Sequence, residues 1–453
     1  MPASDTVNVS ELIDRRLAAY QISIIGFCFL VALLDGFDSQ AIGVTAPLMI
    51  PDLHLLPSQL GAIFSASSWG FLVGALLLGP CADRWGRKQF LVAAGLLFSV
   101  CTLATPWAKG FESLLWLRFA TGIGLGGVAP CFVSIATEYA PRRMRAALVT
   151  ILWTGLPGGG MVVGFLGPVL LPSLGWTGIY FAGGALSLIA ILLVVVAVPE
   201  SLVFLVIRNR DVRQIARIVG RLDPDARLSA ASRFVASEEA RPGVPVRHLF
   251  TEGRAIMTLL LWVAFFIDYF VLLGSLIWSP TLLKTTGMSV GQASAGLAFN
   301  NVGGVVGCFI AGYLIDRFGP YRILIVTFLA AFAAISLTGY AAPSFVPVAF
   351  LETLDGLFIG GAGAGLIACA ALLYPSEMRS TGVGWGLGVG RLGGASGPLL
   401  GGTLMAAQWS PAAIFIAFGV IAIPAALTIF AMQLYAKRRR QIGPGSSIEA
   451  TLA

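Results

Sequence analysis

Asp35 and Asp38 stand three residues apart and are the only charged side chains between Ile22 and Pro47. On a helix that spacing puts both carboxylates on one face. Neighbouring carboxylates repel, so a proton on one of them relieves the pair, and reversible protonation is the chemistry such a pair can do. Asp35 lies roughly 20 Å along a helix that starts at Ile22, near or slightly past the middle of a bilayer. Arg118 is the single charge of the apolar run 113–137, and Arg391 that of the run 381–406. A guanidinium in apolar surroundings suits a carboxylate, because its fork donates two parallel hydrogen bonds. An ionisable side chain inside a membrane costs about 2.5–3.5 kcal/mol on insertion scales, so each of these groups must face a cavity or a partner. Two readings therefore stand for each. Asp35 and Asp38 form a proton site, or an ion pair with Arg118; Arg391 binds an anion, or pairs with Asp268 or Glu352.

The elements that must position these charges are membrane helices. Hydrophobic residues make up 57% of the 453 residues and charged residues only 11%, with a mean hydropathy of +0.87. A water-soluble domain carries about 25% charge; this chain cannot cover a water-facing surface. Twelve runs are long enough to cross a bilayer: 22–47, 58–80, 89–108, 113–137, 146–170, 176–198, 256–280, 290–314, 322–341, 347–374, 381–406 and 411–435. The expected organisation is a tail over 1–21, a six-helix bundle over 22–198, a linker over 199–255, a second bundle over 256–435 and a tail over 436–453. The many glycines and prolines lie within the apolar runs, where small residues let helices approach closely.

The net charge is +7, but its distribution excludes nucleic acid as the reason. Of 29 lysines and arginines, Arg118 and Arg391 fall in spans and Lys109 and Lys284 in loops on one side; the other 25 fall in the tails and opposite loops. The positive-inside rule then places both termini and the long linker in the cytoplasm. Within the linker, Val212, Ile215, Ile218, Val219 and Leu222 have helical spacing, which predicts a short amphipathic helix on the membrane surface. The six cysteines form no paired motif and the two histidines no cluster, so they read as packing residues and no metal or cofactor is expected. No phosphate-binding loop motif and no nucleophile–base constellation occurs, which disfavours an ATP-driven pump and an enzyme.

The halves repeat. GPCADRWGRK at Gly79–Lys88 returns as GYLIDRFGPYR at Gly312–Arg322, so that Asp83 matches Asp316 at an offset of 233. Pro141, Met144 and Arg145 match Pro375, Met378 and Arg379 at an offset of 234. Separated anchors at one spacing argue for a duplicated six-helix unit, with a binding site near mid-membrane between the copies.

The loop pattern G-x-x-x-D-R-x-G-R-K resembles the major facilitator signature. LLDGFDSQAIG in the first span, RFATGIGLGGVAP and ATEYAPRRMRA around the fourth, PESLVFL after the sixth and EMRSTGVGWGLGVGRLGGASGPLLGG in the eleventh resemble the aromatic acid:proton symporter family. The resemblance implies an all-α major facilitator fold of twelve transmembrane helices in two six-helix bundles. It implies a monomer in the cell inner membrane that takes up a small aromatic carboxylate, hydroxybenzoate among them, together with protons. It assigns Arg118 to proton transfer or to pairing with Asp35 and Asp38, and marks Glu138 as functional. Glu138 sits at a depth that suits a gate, alongside Asp83, Arg84, Arg87, Asp316 and Arg317, which are expected to lock the cytoplasmic side when the carrier opens outward.

An aromatic substrate needs stacking walls besides a polar anchor. Phe64, Trp69, Trp153, Tyr269, Trp278 and Trp385 are candidates, with Tyr269 and Trp385 the strongest beside Arg391. Asn300 and Asn301 could bind a ring hydroxyl, although at least one is expected to bridge helices. A carrier for another organic anion, a sugar or a drug is the alternative, and a transport-inactive receptor a third.

Overall fold

The computed structural model describes residues 6–15, 17–207, 212–222, 233–235, 246–251, 253–375 and 378–442. The crossing helices are α1 (Ala19–Asp52), α2 (Pro57–Trp85), α3 (Arg87–Ala104), α4 (Phe111–Tyr139), α5 (145–174), α6 (176–197), α7 (Ala255–Thr285), α8 (Val290–Phe318), α9 (Pro320–Ala341), α10 (Phe345–Leu373), α11 (Arg379–Ala406) and α12 (Pro411–Ile442). Helix 145–197 runs on without a loop, but Gly175 at φ 65° and ψ −169° breaks it into two crossings. That backbone conformation is open to glycine and strained for other residues. Among the described residues ten helices, with 145–197 counted as one, are long and apolar enough to cross a membrane by length and composition; α11, rich in glycine and carrying Arg391, is not among them on that ground alone. An even number of crossings leaves both chain ends on one face, here termed the terminal side.

The two halves are built alike, and glycines mark the pairing. Gly36 of α1 lies against Leu156 of α5, and Gly393 of α11 against Phe266 of α7. Gly70 of α2 meets Phe119 of α4, and Gly303 of α8 meets Thr353 of α10. Gly95 of α3 meets Ile191 of α6, and Gly339 of α9 meets Ala412 of α12. At Gly36, Gly70, Gly303 and Gly393 an added methyl would collide with the neighbour's backbone. Packing of this kind, with dispersion and interhelical hydrogen bonds, holds helices together where lipid is as apolar as the side chains.

The halves meet away from the terminal side. Gly43 of α1 packs on Ile277 of α7, Gly61 of α2 on Gly402 of α11, and Gly164 of α5 on Ala298 of α8. Trp278 is fully buried in this seam; it donates to the Pro398 carbonyl at 2.8 Å and meets Phe64 edge-on at 5.0 Å. The bundle is therefore closed on the far side.

The linker departs from expectation. Helix Val212–Leu222 forms, but Ile215, Ile218, Val219 and Leu222 are buried in the apolar cluster at the terminal end of the first half, not laid on a membrane surface. Val9 and Ile13 of the short helix Val9–Arg15 join the same cluster, and Thr6–Asn8 pairs in parallel with Arg233–Val235. The amphipathic pattern was legible; which apolar surface would accept it depended on the tertiary fold.

Candidate functional site

Near the middle of α11, Arg391 projects toward the first half. Its guanidinium carbon lies 4.1 Å from the ring centroid of Phe71 on α2 and 5.6 Å from that of Tyr269 on α7. An arginine between aromatic faces is held by cation–π attraction and keeps its donors free for a planar anion. Asp35 of α1 is 2% exposed, accepts from Ser39 Oγ at 3.2 Å and lies within Coulombic reach of Arg391. One acid from the first half and one base from the second thus lie within electrostatic range of each other, with no ion pair between them among the described residues.

Asp38 has a different environment. Both of its oxygens receive Arg118 Nη1, at 3.3 and 3.4 Å, and Thr102 donates to Oδ1 at 2.5 Å. Arg118 also donates to Thr105 at 2.6 Å and sits 5.0 Å over the Tyr180 ring. Arg118 and Asp38 are 1% and 2% exposed. The pair predicted to act together is thus split: Asp38 is held in an ion pair inside the first half, while Asp35 faces the second.

The second half answers Arg118 with acids. Glu352 accepts from Ser279 at 2.5 Å, and the Asn300 amide donates to Glu352 at 3.1 Å and to Asp355 at 2.9 Å. Asn301 exchanges hydrogen bonds with Gln40 of α1 at 2.7 and 3.1 Å, a polar tie between the halves. Both asparagines, candidates for a ring hydroxyl with at least one of them expected to bridge helices, are engaged by protein groups of neighbouring helices. Trp385 stacks on Trp262 at 5.7 Å and is half exposed. A crevice of about 580 Å³ on the far side, among Leu48, Pro168, Val290 and Phe345, is lined without a charged side chain and offers an anion no anchor.

At the terminal end of the first half, Gly86 turns the chain from α2 to α3 at φ 124°, a left-handed value that favours glycine. Glu200, just after α6, accepts from the backbone N–H groups of Arg87, Lys88 and Ser201, each at 3.0 Å. It therefore caps α3, where unpaired donors and the helix dipole favour a carboxylate. Arg87 pairs with Glu138, which also accepts from Ser201. Arg84 is exposed beside Trp85. Asp316 and Arg317 are exposed at the matching place in the second half, where Arg317 donates to Tyr313 and lies over Phe318. The Asp83 side chain lies outside the described residues. Glu200 and Phe71 were not singled out from sequence. Glu200 had a signal, an acid directly after a span within PESLVFL; Phe71 had none, because its partner lies 320 residues away. Glu200→Ala is expected to cost about 1–3 kcal/mol, the penalty of leaving a buried donor unmet. It should appear as a lower unfolding midpoint in detergent; an unchanged midpoint would show that the cap is redundant.

Paired bundles meeting around buried charges define a multi-pass membrane carrier, and the comparisons agree. The chain matches the Major Facilitator Superfamily over residues 28–351 and 309–452, and it belongs to that family. It is 36% identical to the gallate transporter of Pseudomonas putida, over 95% of this chain and 96% of that one. It is 34% identical to the 4-hydroxybenzoate transporter PcaK of Pseudomonas aeruginosa, over 96% and 97%. Among solved structures, a bacterial homolog of the human lysosomal transporter Spinster, inward-facing and occupied, superposes with a TM-score of 0.73 at 19% identity, covering 92% of this chain and 97% of that one. The D-xylose-proton symporter does so at 0.72 and 18%, covering 91% and 98%. The transporter class and the fold expected from the sequence are those found.

Proposed function

We propose that this carrier is a proton-coupled symporter that imports a small aromatic carboxylate of the hydroxybenzoate class. One observation carries the reading: a stacked Arg391 faces Asp35 across the seam between the halves. Arg391 can satisfy one anion fully. A substrate carboxylate and an ionised Asp35 compete for it, so a proton on Asp35 frees the fork for the substrate. Loading the proton and loading the anion then favour each other, which is what symport requires. Phe71 and Tyr269 supply the walls for a ring, and Trp385, Asn300 and Asn301 support the chamber from a distance. The names of the relatives, which include gallate, 4-hydroxybenzoate and benzoate carriers, support the substrate class. Asp38 and Arg118 hold α1 and α4 in register and complete the proton-coupling group.

The positive charge of the terminal-side loops supports a cytoplasmic terminal side, in a cell inner membrane. The closed far side then makes this an inward-facing arrangement. Arg87 and Glu138, with Asp83, Arg84, Asp316 and Arg317, form the cytoplasmic gate as the halves rock.

Asp35→Asn imitates a carboxyl that never loses its proton. In proteoliposomes we expect accumulation of labelled 4-hydroxybenzoate driven by a pH gradient to vanish, while exchange of labelled for unlabelled substrate continues. Gradient-driven accumulation by this variant at the parent level would remove Asp35 from the coupling step. Failure of the parent protein to accumulate any benzoate-type acid would overturn the substrate class.

A further inference from the structure

The closed far side of the seam holds contacts of two kinds. Gly43 on Ile277, Gly61 on Gly402 and Gly164 on Ala298 bring backbone and apolar groups together. Such contacts are non-directional, so they resist parting of the halves but tolerate a small slide. Gln40 of α1 and Asn301 of α8 meet amide to amide instead. The Asn301 amide donates to Gln40 at 2.7 Å, and the Gln40 amide donates back at 3.1 Å. The two residues are 5% and 4% exposed. Asn301 also donates to the Leu297 carbonyl of its own helix at 2.8 Å, which fixes the plane of its amide. Gly160 of α5 leaves the room that Gln40 needs: a methyl group there would collide with the Gln40 amide.

Hydrogen bonds demand direction as well as distance, so this pair forms in one register of the two halves. Its place along α1 matters too. Gln40 follows Asp35 by five residues, about 7.5 Å further toward the far side. The pair therefore lies between the Arg391 site and the shut face. α1 and α8 belong to different halves, so opening the far side pulls Gln40 from Asn301 and breaks both bonds. In the closed seam an amide that loses its partner is left buried and unmet, which is costly. In the opened seam water takes both amides. The two bonds therefore weigh on the closed state alone, and an interaction made in one state sets the balance between the two.

We propose that Gln40 and Asn301 are the far-side latch of this carrier, a positioning pair that holds the halves shut there and must part each time the carrier opens to that side. Gly160 completes the latch by admitting the Gln40 amide. The pair acts on the halves rather than on the substrate, so the inference holds for any substrate and does not rest on the proton-coupled reading above.

The test reads opening of the seam with a thiol. Ser294 on α8 is fully buried, and its side chain faces Gly167 of α5 across the seam. Ser294→Cys is therefore a reporter of nearly the same shape. The purified protein in detergent is treated with a water-soluble maleimide, and mass spectrometry reads which cysteine carries the label. In the reporter protein the new thiol should react far more slowly than free cysteine. Adding Gln40→Leu or Asn301→Leu should speed its reaction about tenfold, as the loss of two neutral hydrogen bonds predicts. Gly160→Ala keeps both amides but displaces one, and should act in the same direction. Cys131 and Cys369, each 1% exposed within the apolar clusters, should stay unlabelled in all of these proteins, whereas unfolding would label them. A folded leucine variant, or a folded Gly160→Ala, whose reporter reacts at the parent rate overturns the proposal. So does a reporter protein whose new thiol already reacts as fast as free cysteine, a result that needs no latch variant.

Discussion

Arg391→Ala is expected to weaken binding of a hydroxybenzoate by about 10- to 100-fold, and Arg391→Lys by about tenfold. The range follows from a charged hydrogen bond being worth about 1.5–3 kcal/mol, with each 1.4 kcal/mol a factor of about ten. The local geometry explains why lysine is a poor substitute. The guanidinium is planar and its carbon lies 4.1 Å from the Phe71 ring centroid, so an aromatic face holds it while its forked donors serve a carboxylate. A lysine ammonium keeps the charge but has neither the fork nor the flat face. The loss should fall on affinity, read as Kd by titration calorimetry in detergent, and the uncharged amide of the same ring acid should bind parent and variant alike. Equal affinity of Arg391→Lys and parent for the acid would mean that the carboxylate is held elsewhere.

Asp38→Asn is expected to destabilise the fold by about 3–5 kcal/mol, because it leaves a buried arginine without its counter-charge. Arg118 is 1% exposed, and its remaining contacts, Thr105 and the Tyr180 ring, cannot replace a carboxylate. The reverse change, Arg118→Gln, strands Asp38 in the same way. The double variant should recover much of the loss, since replacing both members of a buried pair removes the unmet charge along with the attraction. Thermal unfolding followed by tryptophan fluorescence provides the comparison. Asp35→Asn serves as the contrast, since Asp35 has no ion-pair partner in its own half and its replacement should leave the midpoint nearly unchanged. If Asp35→Asn and Asp38→Asn unfold at the same temperature, the division of labour between the two acids is wrong.

That division shows where sequence reasoning stops. Spacing alone placed Asp35 and Asp38 on one face and left proton site and ion pair both open for the two acids; the structure gives Asp38 an ion pair with Arg118 and gives Asp35 none among the described residues. Three residues on a helix turn through about 300°, which leaves the two side chains about 60° apart around the axis, enough for one acid to meet α3 and α4 of its own bundle while the other meets the seam. The linker helix shows a similar gap between pattern and placement. The apolar stripe over Ile215, Ile218, Val219 and Leu222 was plain, but a stripe does not say whether lipid or the terminal end of a bundle will cover it. Glu200 caps α3 from more than a hundred residues away, and no local pattern announces that contact.

The sequence by itself determined the membrane, the number of crossings, the duplication and the small set of charges that had to face something other than lipid. Those properties follow from local composition and from offsets along the chain, because hydropathy is summed over contiguous residues and a repeat is read by comparison. The tertiary structure alone decided which charges face one another, which asparagines are already engaged by the protein and which side of the bundle is shut. Those outcomes are set by contacts between helices of different halves, such as Arg391 with Phe71 and Gly61 with Gly402, whose partners are remote in sequence and are brought together only when the bundles pack.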